Sequence, residues 1–154
     1  MSTLQRLQCW IAGLWAGLLL GVGAVAAPSL FAILERPVAG MGAGKIFAVE
    51  ARISLALAMV IFMVERRRVR DLAVKLGHSS VMTGNLLLVL GALFLTVFGQ
   101  FAIHPMIEAA KAGEQTRLSF EALHGLSAGM FWLKAVFILC LAWRLTGTKA
   151  ATEQ

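Results

Sequence analysis

Charge is scarce in this 154-residue chain. Charged side chains make up 14% of it and hydrophobic ones 59%, whereas soluble domains carry about 25% charged residues and roughly 45–50% apolar ones. That balance fits a soluble helical domain poorly and makes the lipid bilayer the main partner. Cysteine is scarcer still: Cys9 and Cys140 are the only two, so no disulfide framework follows. The chain also lacks a Walker loop, a dinucleotide-binding glycine fingerprint and a serine or cysteine nucleophile with a matched base. Those absences argue against hydrolytic and phosphoryl-transfer enzymology, and a non-enzymatic protein is expected.

What the chain has instead is long apolar runs. A spanning helix needs roughly 20 mainly apolar residues, and windows at 8–27, 46–64, 81–104 and 121–143 qualify. They predict an all-α polytopic membrane protein, a four-transmembrane-helix bundle with short loops forming one integral membrane domain over residues 1–154. Residues 1–27 imitate a secretory signal. The apolar run from Trp10 to Ala27 exceeds the usual signal core, however, and Pro28 follows at once, so the segment is read as the first span.

The basic residues orient the bundle. Arg6, Arg66, Arg67, Arg68, Arg70, Lys75, Arg144 and Lys149 fall on one side of a four-span topology, against Arg36, Lys45, Lys111 and Arg117 on the other. An excess of Lys and Arg marks the cytoplasmic side, which predicts both termini inside. The net charge of +6 then reads as an orientation signal rather than a nucleic-acid surface. The connection at 64–78 is expected to be an inner loop lying against anionic headgroups.

Gly13, Gly17 and Gly21 share a face of span one, and Gly125 and Gly129 repeat that spacing in span four. Small residues at such intervals let helices approach closely, so spans one and four are expected to pair there. Pro28 is expected to end or kink the first helix near Ala27. Ser119 is the expected cap of the fourth.

An ionisable side chain inside a membrane is a functional-site hypothesis by default, and the intruders are few. Lys134 is the deepest, about 15 Å from either end of span four at 1.5 Å per residue. No acidic residue in the inner half of a span reaches it easily, which leaves Asn85, backbone carbonyls or snorkelling to the surface. The outer end is richer. Glu121 and His124 have the Glu-x-x-His spacing of bundle metal sites, His104 and Glu108 are four apart, Gln100 shares a face with His104, and Glu50 can add a carboxylate at that level. Such a set suits zinc, iron or copper(II). The competing readings are an ion-pair network of Arg52 with Glu50, Glu108 or Glu121, and a proton or small-solute path through His104, His124 and Lys134.

A resemblance joins these features. Leu14-Trp15-Ala16-Gly17-Leu18 leading to Ala27-Pro28-Ser29-Leu30-Phe31, the Phe101-x-x-His104-Pro105 end of span three and Leu123-His124-Gly125-Leu126-Ser127 resemble the bacterial domain of unknown function 4149. That family is similar to the eukaryotic transmembrane protein 205. It implies a four-span protein of the bacterial inner membrane with no established catalytic activity. More remotely, span one is similar to copper-resistance D proteins and to the haem-binding protoporphyrinogen oxidase family, which implies copper passage or haem chemistry. Span one has no histidine, so the haem ligand expected there is missing. The sequence therefore predicts metal-ion or small-solute handling through the outer His/Glu group, with a membrane redox or haem-associated enzyme as the alternative. A homo-oligomer or a membrane-complex partner stays open.

Overall fold

A computed structural model describes residues 3–76 and 82–147; His78, Val81 and Lys149 lie outside them. Among the described residues the regular structure is helical. In chain order it comprises α1 (Thr3–Leu20), a first π-helical segment (Gly21–Ala26), α2 (Ala27–Ile33), α3 (Arg36–Leu76), α4 (Gly84–Phe98), a second π-helical segment (Gly99–Ile103), α5 (His104–Lys111) and α6 (Phe120–Thr146). Four stretches are long and apolar enough to cross a membrane: Thr3–Ile33, Arg36–Asp71, Gly84–Lys111 and Phe120–Thr146. The protein is a multi-pass helical membrane protein.

Three features of the helices bear on the placement of the site. Of the two outcomes expected at Pro28, an end or a kink, the first does not occur, since the helix continues through a π-helical segment into α2. A proline ring clashes with the carbonyl four residues back, here those of Ala24 and, for Pro105, Phe101. Both carbonyls lie in π-helical turns, where the Ala27 amide bonds to Val22 O and the His104 amide to Gly99 O. Widening each helix there to i→i+5 bonding lets it continue past its proline. Second, most of the 64–78 connection is not a loop, because α3 continues through Arg66–Arg70 to Leu76. Its 41 residues rise about 61 Å at 1.5 Å each, twice a hydrocarbon core of about 30 Å. Third, the outer connection is helical as far as Lys111. There Gly113 takes φ +79°, and Glu114 and Gly113 amides bond Ala109 O and Ala110 O at 3.0 and 3.2 Å. This is a Schellman ending that favours glycine.

The remaining ends follow side-chain caps. Thr83 Oγ1 accepts from the Leu86 amide at 3.2 Å and starts α4; Ser119 Oγ accepts from the Ala122 amide at 3.2 Å and starts α6, as expected.

Around the bundle α1 packs on α3, α3 on α4, α4 on α6 and α6 on α1, so α1 stands opposite α4 and α3 opposite α6. The core is filled by Ala12, Trp15, Ala16 and Leu19 of α1, Ala58 and Ile61 of α3, Val89 and Ala92 of α4, and Ala135, Ile138, Leu141 and Leu145 of α6. The α1 set has the i, i+3, i+4, i+7 spacing of one helical face. Alternating alanine with Trp15, Leu19 and Ile138 brings the helices close, and that contact rather than water exclusion holds helices together in lipid.

Candidate functional site

The deepest charges meet across the bundle. Lys134 Nζ, on α6, donates to Glu50 Oε1 at 2.8 Å and Oε2 at 2.9 Å, on the opposite helix α3. Glu50 is 3% exposed and Lys134 4%. Ser54, one turn along α3 and so on the same face, donates its hydroxyl to Glu50 Oε1. Trp15 of α1 donates its indole N–H to Ser54 Oγ at 2.8 Å. The Phe131 ring lies 5.2 Å from Lys134 Nζ and meets Phe47 edge to face at 5.1 Å. Every donor in this line points towards the carboxylate, and the aromatic face covers the ammonium. A buried ion pair persists only when both charges are so satisfied.

Two sequence expectations fall here. Lys134 does have an acidic partner, because Glu50 turns into the interior instead of joining the outer histidines. Asn85 is taken by Arg144, whose Nε donates to Asn85 Oδ1 at 2.8 Å. Trp15 entered the sequence reading only within the family motif and Ser54 not at all, although the four-residue step from Glu50 to Ser54 was there to see.

The outer residues are spread out. Gln100 is half-buried in the second π-helical segment, and His104 is half-buried just after it. Glu108 is exposed and paired with Lys111 at 2.9 Å. Glu121 and His124 are both exposed, and the His124 ring stacks on Phe120 at 5.9 Å. Among the described residues no three His, Cys, Asp or Glu side chains group so as to hold a metal ion. Arg52 is exposed on α3, pointing away from Glu50, whose charge is taken up by Lys134. Cys9 and Cys140 are free thiols.

The glycine expectation also changes. Spans one and four do adjoin, but a Cβ added at Gly13, Gly17, Gly21, Gly125 or Gly129 would meet nothing within 4 Å. The faces in contact are the alanine-rich ones. Close approach is instead found at Gly23 against Phe131, Gly84 against Arg144 and Gly91 against Phe137.

A second polar node ties the end of the bundle where the arginines gather. Glu65 is fully buried and accepts from Gln8 Nε2 at 2.8 Å and Thr83 Oγ1 at 3.1 Å. It links α1, α3 and the start of α4.

Glu50 and Lys134 also occupy matching places in two similar helices. Phe47 corresponds to Phe131, Ala51 to Ala135, Leu55 to Leu139, Leu57 to Leu141 and Ala58 to Ala142, all separated by the 84 positions between Glu50 and Lys134. The hairpins built on α1–α3 and α4–α6 each carry a π-helical segment ahead of a proline. With α1 opposite α4 and α3 opposite α6, the ion pair sits where a two-fold axis along the bundle would pass.

Comparison with curated proteins and with solved structures gives no match. The model of the family described as Domain of unknown function (DUF4149) matches residues 10–116, from α1 through α5, including Trp15, Glu50 and Ser54 but stopping short of Lys134. With most of its length matched, the chain belongs to the DUF4149 family.

Proposed function

We propose that this protein handles a proton or a small charged solute within the membrane, with the Glu50–Lys134 pair as the element that opens and closes. The observation that carries the reading is the pair itself, two ionisable groups held in the bundle interior by equivalent positions of two similar hairpins. Parallel repeats related by an axis along the membrane normal place transport sites at their interface near the bilayer midplane. Isolated from water, such a pair separates only when one member gains or loses a proton or when another ion takes its place. Metal handling by His104, Glu108, Glu121 and His124 has no comparable support. The membrane is taken to be the bacterial inner membrane with both termini in the cytoplasm. That placement rests on Arg6, Arg66, Arg67, Arg68, Arg70 and Arg144, which stand at the end of the bundle holding both termini.

The test is flux in liposomes carrying the purified protein and an internal pH-sensitive dye, under an imposed pH gradient and with a panel of small cations, anions and zwitterions outside. The expected outcome is protein-dependent flux that is lost in the double variant Glu50→Gln/Lys134→Met, which removes both charges together and so leaves none uncompensated. Wild-type liposomes no leakier than protein-free ones, to protons and to every solute tried, would sink the reading.

A further inference from the structure

An open groove runs between α4 and α6 at the basic end of the bundle. Its volume of about 820 Å³ lies within the roughly 300–1,000 Å³ of small-molecule sites, so it is more than a gap between side chains. Leu87 and Leu88 form one wall, Phe137, Cys140 and Trp143 the other, and Gly84 and Arg144 stand at its mouth. Leu87, Cys140 and Trp143 are exposed, which leaves the groove accessible along its length, and the Phe137 ring marks its inner end where it rests on Gly91. Arg144 is reachable as well, being exposed in the last turn of α6. It is also held in place. Asn85, 6% exposed, accepts from its Nε at 2.8 Å, and a Cβ at Gly84 would stand 2.8 Å from Nη2 and 3.2 Å from Cζ. A glycine there lets the guanidinium lie against α4. Among the described residues no carboxylate pairs with Arg144, and Arg6, Arg66, Arg67 and Arg70 are exposed at the same end.

We propose that this groove binds one anionic phospholipid, with its phosphate on the Arg144 guanidinium and the upper part of an acyl chain between α4 and α6. With Nε engaged by Asn85, the Nη1 and Nη2 end is left to meet a ligand, and a guanidinium can present two parallel N–H groups to one phosphate. The apolar walls select a lipid rather than a dissolved phosphate. From Arg144 back to Phe137 the helix rises about 10 Å at 1.5 Å per residue, which carries the groove from the end of the span into hydrocarbon. Trp143 is 81% exposed beside the arginine, and an indole at that level suits the headgroup region. Charge selects among lipids: a zwitterionic headgroup brings its own cation to an end already rich in arginine, whereas an anionic one supplies the missing countercharge, as basic pockets between spanning helices require.

The experiment is lipid retention by the full-length protein, delipidated in neutral detergent and titrated with phosphatidylglycerol or phosphatidylcholine, with bound lipid counted by native mass spectrometry. Binding of phosphatidylglycerol about fivefold tighter than phosphatidylcholine is expected, the weight of one arginine at a membrane surface. Arg144→Gln is expected to abolish that preference. Arg67→Gln removes the same charge from an exposed site on α3 and is expected to leave the preference within about twofold of its wild-type value. Cys140→Trp keeps the arginine but fills the groove, and is expected to weaken phosphatidylglycerol binding several-fold. Because Cys140 is exposed, that variant tests the groove even if loss of Arg144 unsettles the fold. Equal binding of the two lipids overturns the proposal, as does a preference that Arg144→Gln leaves intact or that Arg67→Gln removes equally. Unchanged binding by Cys140→Trp, or displacement of the lipid by millimolar inorganic phosphate, overturns it in favour of a soluble anion.

Discussion

Lys134 and Glu50 face each other across the diagonal of the bundle, joined by hydrogen bonds of 2.8 and 2.9 Å, and they connect two helices that are not packing neighbours. Removing one member strands the other in the interior, so Glu50→Ala or Lys134→Ala is expected to destabilise the bundle by roughly 3–5 kcal/mol. The double variant Glu50→Gln/Lys134→Met restores most of that loss. Unfolding in mixed detergent micelles measures all three, and additive losses in the double variant would contradict the pairing.

The Trp15 to Ser54 bond lends itself to a double-mutant cycle. Trp15→Phe and Ser54→Ala each delete one side of it, and the coupling is expected at about 0.6 kcal/mol with a ceiling near 1.7, the range of interhelical hydrogen bonds in membranes. Trp15→Phe costs more on its own, because it also shrinks a fully buried side chain.

Glycine substitutions separate the two kinds of glycine face. A Cβ at Gly91 would stand 2.6 Å from Phe137 Cε2, and Gly91→Ala is expected to cost about 1–3 kcal/mol through overpacking. Gly17→Ala meets nothing in the chain and is expected to be neutral or to stabilise by up to about 1 kcal/mol through helix propensity. Melting temperatures in detergent decide between them, and the reverse order would show that Gly17 is a helix contact.

Thr83 serves twice, as the cap of α4 and as a donor to Glu65. Thr83→Ser keeps both bonds and is expected to change stability little. Thr83→Ala loses both and is expected to cost about 1–2 kcal/mol, with hydrogen exchange fastest in the first turn of α4. Exchange that rises uniformly along α4 would argue against a capping role.

How much of this was written in the sequence depends on what each residue's signal is made of. Apolar length is a local property, so the four spans, the Ser119 cap and the family were legible. The rotation of each helix about its axis was not, because in lipid an apolar residue is equally at home inside and outside the bundle. Gly13, Gly17 and Gly21 show this: their spacing fits a contact face, but Ala12, Trp15, Ala16 and Leu19 turn inward. Glu50 had the same ambiguity, and only the arrangement of α3 opposite α6 assigns it to Lys134. Glu65 was hidden for another reason. It precedes a run of arginines that reads as a loop, and the continuation of α3 buries it. At Pro28 the helix continues through a single π-helical turn, which leaves no mark in residue type.

The distance along the chain between Glu50 and Lys134 has a consequence for biosynthesis. The 84 positions between them take roughly 4–17 s to translate at 5–20 residues per second. For that interval the first hairpin holds a carboxyl group with no lysine to meet it. An ionised acid at that depth resists insertion by about 2.5–3.5 kcal/mol. The cost of placing Glu50 in the membrane is therefore offset only once α6 emerges, so the pair ties the fate of the first hairpin to the arrival of the last helix.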